Sequence, residues 1–235
     1  MADLSYDYRK SVHHRAWFRR SNIPTRFQGW GRKSVGKAYP GQAASWLNEV
    51  FEGKIIKNPG ALGDTGVGLL MDGPPGVGKT TLACSILQDF IWGLTTENGP
   101  SVLKVTTKDF GVSMTPIYYL TYPELLTLIK RGFDSYDAED QLMVEGLFGR
   151  AKDDSRNVRL LVLDDLGKEY GTTFTISTFD ELLRSRYDRG LPTIITTNVE
   201  LKKWGVKYGD AMASFAYEAF EYLPIAGKDR RRGIG

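Results

Sequence analysis

A single cysteine, Cys84, in a chain of 235 residues rules out an internal disulfide and any cysteine-clustered zinc module. Its place inside a helical run makes it a buried structural thiol by expectation. No apolar run approaches the roughly 20 residues that span a bilayer, and the N-terminal stretch has no apolar segment of the secretory kind. Neither membrane insertion nor export is indicated, and a cytoplasmic location is expected. Acidic side chains are scarce at the N-terminus. Asp3 and Asp7 are the only two in residues 1–37, against nine basic ones (Arg9, Lys10, Arg15, Arg19, Arg20, Arg26, Arg32, Lys33, Lys37). The net charge of +3 hides this asymmetry, because the remainder carries 22 basic and 26 acidic groups. With 41% hydrophobic content the chain can bury one sizeable core, which fits one α/β domain with short extensions.

What the chain does contain is Gly73-Pro74-Pro75-Gly76-Val77-Gly78-Lys79-Thr80, a complete G-x-x-x-x-G-K-[ST] octet. A nucleoside triphosphate needs a row of backbone N–H groups, a helix N-terminus, a point positive charge and a ligand for Mg²⁺, and this octet offers all four. Its glycines permit close backbone approach, and Pro74-Pro75 stiffens the turn. Lys79 is expected to bridge the β- and γ-phosphates, Thr80 to give its hydroxyl to Mg²⁺, and Thr81 to cap the same helix turn. Apolar Val67–Met71 before the octet and helical Leu82–Leu87 after it supply the strand–loop–helix setting the motif requires.

Further on, Val158–Leu163 is a continuous apolar run that ends in Asp164 and Asp165. A buried parallel strand has this form, with ligands met at its C-terminal end. Asp164 is expected to hold Mg²⁺ through water, and Asp165 to polarise the attacking water. Pro192–Thr197 is a second buried strand, and Asn198 at its end suits a sensor of the γ-phosphate or the water. Helices are expected over Ala43–Phe51, from the octet to about Trp92, from Tyr122, over Asp137–Ala151, over Ile176–Asp188 with Arg184, Arg186 and Arg189 exposed, and in two short pieces over Leu201–Tyr208 and Asp210–Phe220. Strands are expected at Ile117–Thr121 and Tyr222–Ala226, a short hairpin at Val102–Val112, and a loop at Asn58–Gly66. Residues 1–40 read as a basic arm with Trp17, Phe18, Phe27, Trp30 and Tyr39, and residues 41–235 as the ATPase domain. Three roles for the arm stay open: holding single-stranded nucleic acid, docking on a partner protein, or packing Ile23–Phe27 on the core near the adenine.

The order of these pieces resembles the DnaC/DnaI/IstB branch of AAA+ ATPases. They are the phosphate loop, Leu160-Leu-Val-Leu-Asp-Asp-Leu-Gly167, Arg186-Tyr187 leading to Pro192-Thr-Ile-Ile-Thr-Thr-Asn198, and Gly227-Lys-Asp-Arg230. No Asn-Lys-x-Asp guanine motif occurs. The resemblance covers roughly Ile23 to Arg231. It implies a P-loop three-layer αβα sandwich around a parallel five-stranded sheet, and ATP and Mg²⁺ as ligands; the residues after the Tyr222–Ala226 strand are not expected to form a C-terminal helical lid. It also implies a helicase loader that forms ATP-dependent homo-oligomers and engages single-stranded DNA and a replicative helicase of the DnaB type. The IstB side of the branch implies instead a transposition helper on duplex DNA. A regulator that binds nucleotide without hydrolysing it is the reading from another class. Family members place an arginine finger before the last strand, where this chain has Phe215. Arg186 or Arg184, then Arg230 or Arg231, are the substitutes to consider, and slow hydrolysis is expected.

Overall fold

The structure, a computed structural model, describes residues 12–36, 39–55, 65–94, 103, 115–134, 138–168 and 171–229. Five strands, β1 (Gly68–Asp72), β2 (Ile117–Thr121), β3 (Leu160–Leu166), β4 (Thr193–Thr197) and β5 (Phe220–Pro224), form one sheet in the order β2-β3-β4-β1-β5, parallel at every pairing. Each strand is short and rich in β-branched or other apolar residues. β1 and β4 are buried along their whole length, and β3 in all but one residue. Strands buried on both faces need a helical layer on each side, which gives the three-layer α/β sandwich.

The helices are α1 (Val12–Arg20), α2 (Arg32–Val35), α3 (Gly41–Phe51), α4 (Lys79–Ile91), α5 (Tyr122–Asp134), α6 (Ala138–Phe148), α7 (Thr173–Tyr187), α8 (Trp204–Tyr208) and α9 (Asp210–Ala219). Helix α4 is buried on almost every side and runs along β3 and β4, so the phosphate loop at its N-terminus opens at the C-terminal edge of the sheet. Trp46, Phe90, Tyr122, Phe179 and Trp204 are among the largest fully buried side chains. No described helix is long and apolar enough to cross a membrane.

Several boundaries move, each for a local reason. Helix α7 starts at Thr173 and not Ile176, because the Thr172 hydroxyl caps it by accepting from the Thr175 amide at 3.2 Å. Helix α6 stops at Phe148 and not Ala151, because Gly149 takes a left-handed conformation (φ 73°). Strand β5 begins at Phe220, paired with Gly68, two residues earlier than its apolar pattern implies. Among the described residues nothing helical follows β5. The hairpin at Val102–Val112 lies outside the described residues, apart from Leu103, which joins the core. The loop at Asn58–Gly66 lies outside them up to residue 64.

The described part of the arm is not a loose tail. Trp17, Ile23 and Tyr39 are core residues. The Tyr119 amide donates to the Ser21 carbonyl at 2.8 Å and Asn22 Nδ2 to the Tyr119 carbonyl at 2.8 Å, so the chain closes the open edge of β2. Gln88 on α4 then grips the next turn, accepting from the Gly29 amide at 2.8 Å and donating to the Phe27 carbonyl at 2.9 Å.

Candidate nucleotide site

Strand β1 delivers the chain into the phosphate loop, and Gly78 begins α4 with φ 103°. Gly73 (φ 149°) and Gly76 (φ 80°) are also left-handed, and a Cβ on either would strike a neighbour: the Ile225 carbonyl oxygen at Gly73, the Asp229 carboxylate at Gly76. The loop is therefore pinned from outside by the segment after β5, which leaves its N–H groups to face inward. Lys79 is 7% exposed, and its Nζ donates to the carbonyls of Gly73 (2.7 Å) and Pro74 (2.9 Å) and to Asn198 Oδ1 (2.8 Å). Asn198, at the end of β4, and the loop lysine thus share one spot.

Thr80 Oγ1 lies 3.1 Å from each carboxylate oxygen of Asp164. Asp164 is 2% exposed and accepts two further hydroxyls, Tyr119 at 2.7 Å and Thr196. Burial raises its pKa above the ordinary carboxylate range, and Asp165 next to it adds to this, although the hydroxyls of Thr196, Tyr119 and Thr80 pull the other way. Burial and the Asp164 charge raise the Tyr119 phenol, which keeps it a donor. A hydroxyl and a carboxylate side by side are hard oxygen donors. Mg²⁺ takes few protein ligands and fills its octahedron with water and phosphate, so the pair suits that ion.

Asp165 points elsewhere. It sits in a bulge between Leu163 and Leu166 with φ 58°, in a region where a side chain costs of order 1 kcal/mol. Its amide donates to Thr196 Oγ1 at 3.1 Å, and its carboxylate, 35% exposed, pairs with Lys168 Nζ at 2.7 Å. The bulge sends the two neighbouring carboxylates in different directions, Asp164 to Thr80 and Asp165 to the open side. Behind the loop, Val35, Pro40, Val77, Thr81, Leu223 and Ile225 line a cavity of about 220 Å³ without a charged side chain.

A family model for the "ATPase family associated with various cellular activities (AAA)" matches residues 69–198, more than half of the chain. The chain belongs to the AAA family. Among solved structures, this AAA protein is similar to the DnaC helicase loader (22% identity over 86% of this chain and 100% of the other, TM-score 0.59) and to DnaI (18%, 91% and 100%, TM-score 0.59). It is also similar to the replication initiator DnaA bound to AMPPCP and single-stranded DNA (14%, 88% and 52%, TM-score 0.55). At these identities the likeness is one of fold. Comparison with curated proteins by sequence returned no match.

Two sequence expectations for this AAA protein need correction. Arg186 is not an exposed arginine available to a neighbouring subunit. It is fully buried, its Nε donating to Thr193 Oγ1 (2.8 Å), Nη1 to the Leu147 carbonyl (2.7 Å) and Nη2 to the Pro192 carbonyl (3.0 Å). Burial, with Arg159 adding repulsion, pulls its pKa down to about 9. Thr81 does not cap α4, whose N-cap Gly78 has no side-chain partner; it lines the cavity behind the loop. From the arm, Val35 and Pro40 line that cavity, while Ile23 lies in the core and Phe27 packs against it.

Arg184 remains on the surface of this AAA protein, paired with Asp180 at 2.9 Å, its guanidinium 4.4 Å above the ring of Phe215. Arg189 is exposed, and Arg230 and Arg231 lie outside the described residues. Sequence reasoning missed Tyr119 and Thr196, which hold Asp164, and Lys168, which holds Asp165. The β-strand register was the available signal, because Thr121 pairs with Asp164 and β4 runs beside β3. A larger cleft of about 630 Å³ lies between α5, α6 and α7, lined by Leu142, Phe148 and Phe174, and shares no residue with the phosphate loop.

Proposed function

We propose that this AAA protein binds ATP with Mg²⁺, assembles side by side with copies of itself, and acts in DNA replication as a helicase loader that engages single-stranded DNA and a DnaB-type replicative helicase. The observation that carries the reading is the convergence of Lys79 with Asn198, and of Thr80 with Asp164, at one end of the sheet, in a fold shared with the DnaC helicase loader. Lys79 neutralises the β- and γ-phosphate oxygens, and Asn198, which it touches, holds the γ-phosphate or the incoming water. Thr80 and Asp164 would hold Mg²⁺, which would supply positive charge to the triphosphate. Asp165 orients water towards the γ-phosphorus and takes its proton as the bond to the bridging oxygen breaks, leaving ADP and phosphate. Lys168 competes for that carboxylate, and Phe215 stands where the resemblance expects an arginine, so ATP serves chiefly as an assembly switch with slow turnover.

The test is ATP binding, ATP hydrolysis and DNA binding measured on the same variants. Lys79→Ala should lose nucleotide binding. Asp165→Asn should keep binding and lower turnover about 100-fold or more, the usual worth of a general base, and retained turnover would place the base elsewhere. Turnover of tens per second without a partner would overturn the switch. DNA binding should favour single strands when ATP is present. Duplex preference would move the assignment to an IstB-like transposition helper. Absence of hydrolysis with intact ATP affinity, even with DNA and helicase, would favour a nucleotide-dependent regulator, a reading that Phe215 also favours.

A further inference from the structure

Residues 12–36 contain no Asp or Glu, and Arg15, Arg19, Arg20, Arg26, Arg32 and Lys33 are all exposed. Among the described residues no carboxylate forms an ion pair with Arg15, Arg19, Arg20 or Arg26. A surface this one-sided repels itself and attracts anionic groups. The segment is also firmly held. On α1, His14 stacks on Trp92 (centroids 5.1 Å apart, 15° between planes), and Trp17 is 5% exposed. Arg15 and Arg19, two residues either side of Trp17, project from the opposite face of the helix. After the β2 edge is closed by Ser21 and Asn22, the chain turns back at Thr25–Phe27, where the Arg26 guanidinium lies 4.7 Å over the Phe27 ring. Three residues on, Trp30 leaves 46% of its surface in water, although its amide is fixed to the Phe27 carbonyl at 3.3 Å.

We infer that Arg15, Arg19 and Arg20, followed along the chain by Arg26, Phe27 and Trp30, form a track for single-stranded DNA, with phosphates on the arginines and a base stacked on Trp30. This inference rests on the proposed DNA-engaging function and says which surface carries it. Charge alone would serve a duplex or an acidic protein equally. An exposed indole on a rigid turn beside arginines serves unpaired bases, whose faces are free, whereas duplex bases already stack on one another. The turn is bolted to α4 by Gln88, which contacts Gly29, Phe27 and Trp30, and α4 begins at the phosphate-loop lysine. One helix therefore joins the strand track to the nucleotide.

The experiment is fluorescence anisotropy of labelled oligothymidine and of a duplex, with ATP and Mg²⁺, for the full chain and two variants that retain ATP binding. Trp30→Ala should weaken oligothymidine binding about tenfold or more, leave duplex binding unchanged, and be largely rescued by Trp30→Phe. The triple variant Arg15→Ala, Arg19→Ala, Arg20→Ala should flatten the slope of log affinity against log salt by about 2. Wild-type binding that neither variant alters would overturn this track and leave the proposed function standing. Loss of helicase capture with unchanged DNA affinity would also overturn it, in favour of a protein partner. A wild-type chain that ignores single strands in every nucleotide state would overturn the track and the DNA-engaging function together.

Discussion

An arginine enclosed in protein persists only where each N–H it buries meets an acceptor, and Arg186 meets three, from α6, the turn before β4, and β4 itself. It ties two elements to α7. Arg186→Ala should therefore act on stability: two carbonyls and a hydroxyl lose their donor and a cavity opens, at about 3 kcal/mol or more. For a chain of this size that lowers the thermal midpoint by about 6–12 °C, while ATP turnover per folded molecule stays near wild type. A midpoint unchanged beside a lost turnover would return Arg186 to the active site. Spacing exposed the phosphate loop and the Asp164–Asp165 pair because each is contiguous. Arg186 was misread because its helical position, one residue from buried Tyr187 and two from Arg184, gives no clue to a β4 acceptor seven residues ahead.

At the scale of elements, β3 and β4 were legible as continuous apolar runs, since a strand covered on both faces has no polar side to interrupt it. Anchoring of α1 was not legible. It depends on Trp92, which stacks on His14, and on Tyr119 and Gln88, which hold Asn22 and Gly29 just after the helix, each more than 50 residues away in the chain, and a helix with a mostly basic surface shows no apolar stripe. The entry to β3 offers a test of local electrostatics. Arg159, 7% exposed, reaches back to Asp154 in the 3₁₀ turn Asp154–Arg156. Burial pushes the Asp154 carboxyl up, but the hydrogen bond and charge of Arg159, with Asn157, overcome it and hold the pKa below its ordinary value. A lowered folded-state pKa gives stability that is complete above the unfolded value of about 4 and disappears as pH falls through the folded one. Asp154 is exposed on one side, so the pair is worth at most about 1 kcal/mol. Asp154→Asn should thus melt a few degrees below wild type at pH 7 and together with it once the pH is well below 4. A gap that stays constant with pH would mean that the charge has no part in it.

Arg184 belongs to the scale of the assembled molecule. Its guanidinium, held by Asp180 and resting on the Phe215 ring, occupies the surface where the family resemblance expects a finger, and it projects from α7 and not from the last helix. Phe215 is itself fixed edge-on to Tyr187 at 5.4 Å, so the platform under the arginine is rigid. In a head-to-tail ring or filament each subunit offers one face to the nucleotide of the next, and an arginine brought there stabilises the charge of the transferring phosphoryl group. Arg184→Ala should then leave ATP affinity and thermal midpoint near wild type and lower only the turnover of the assembled protein. Mixing separates this from a role within one subunit. Arg184→Ala and Asp165→Asn chains, each inactive alone, should together recover about a quarter of wild-type turnover, because that share of interfaces in a random mixture pairs an intact carboxylate with an intact arginine. No recovery in mixed assemblies of normal size would mean that Arg184 serves its own subunit, through the Phe215 contact, and that any arginine from the neighbour is another one.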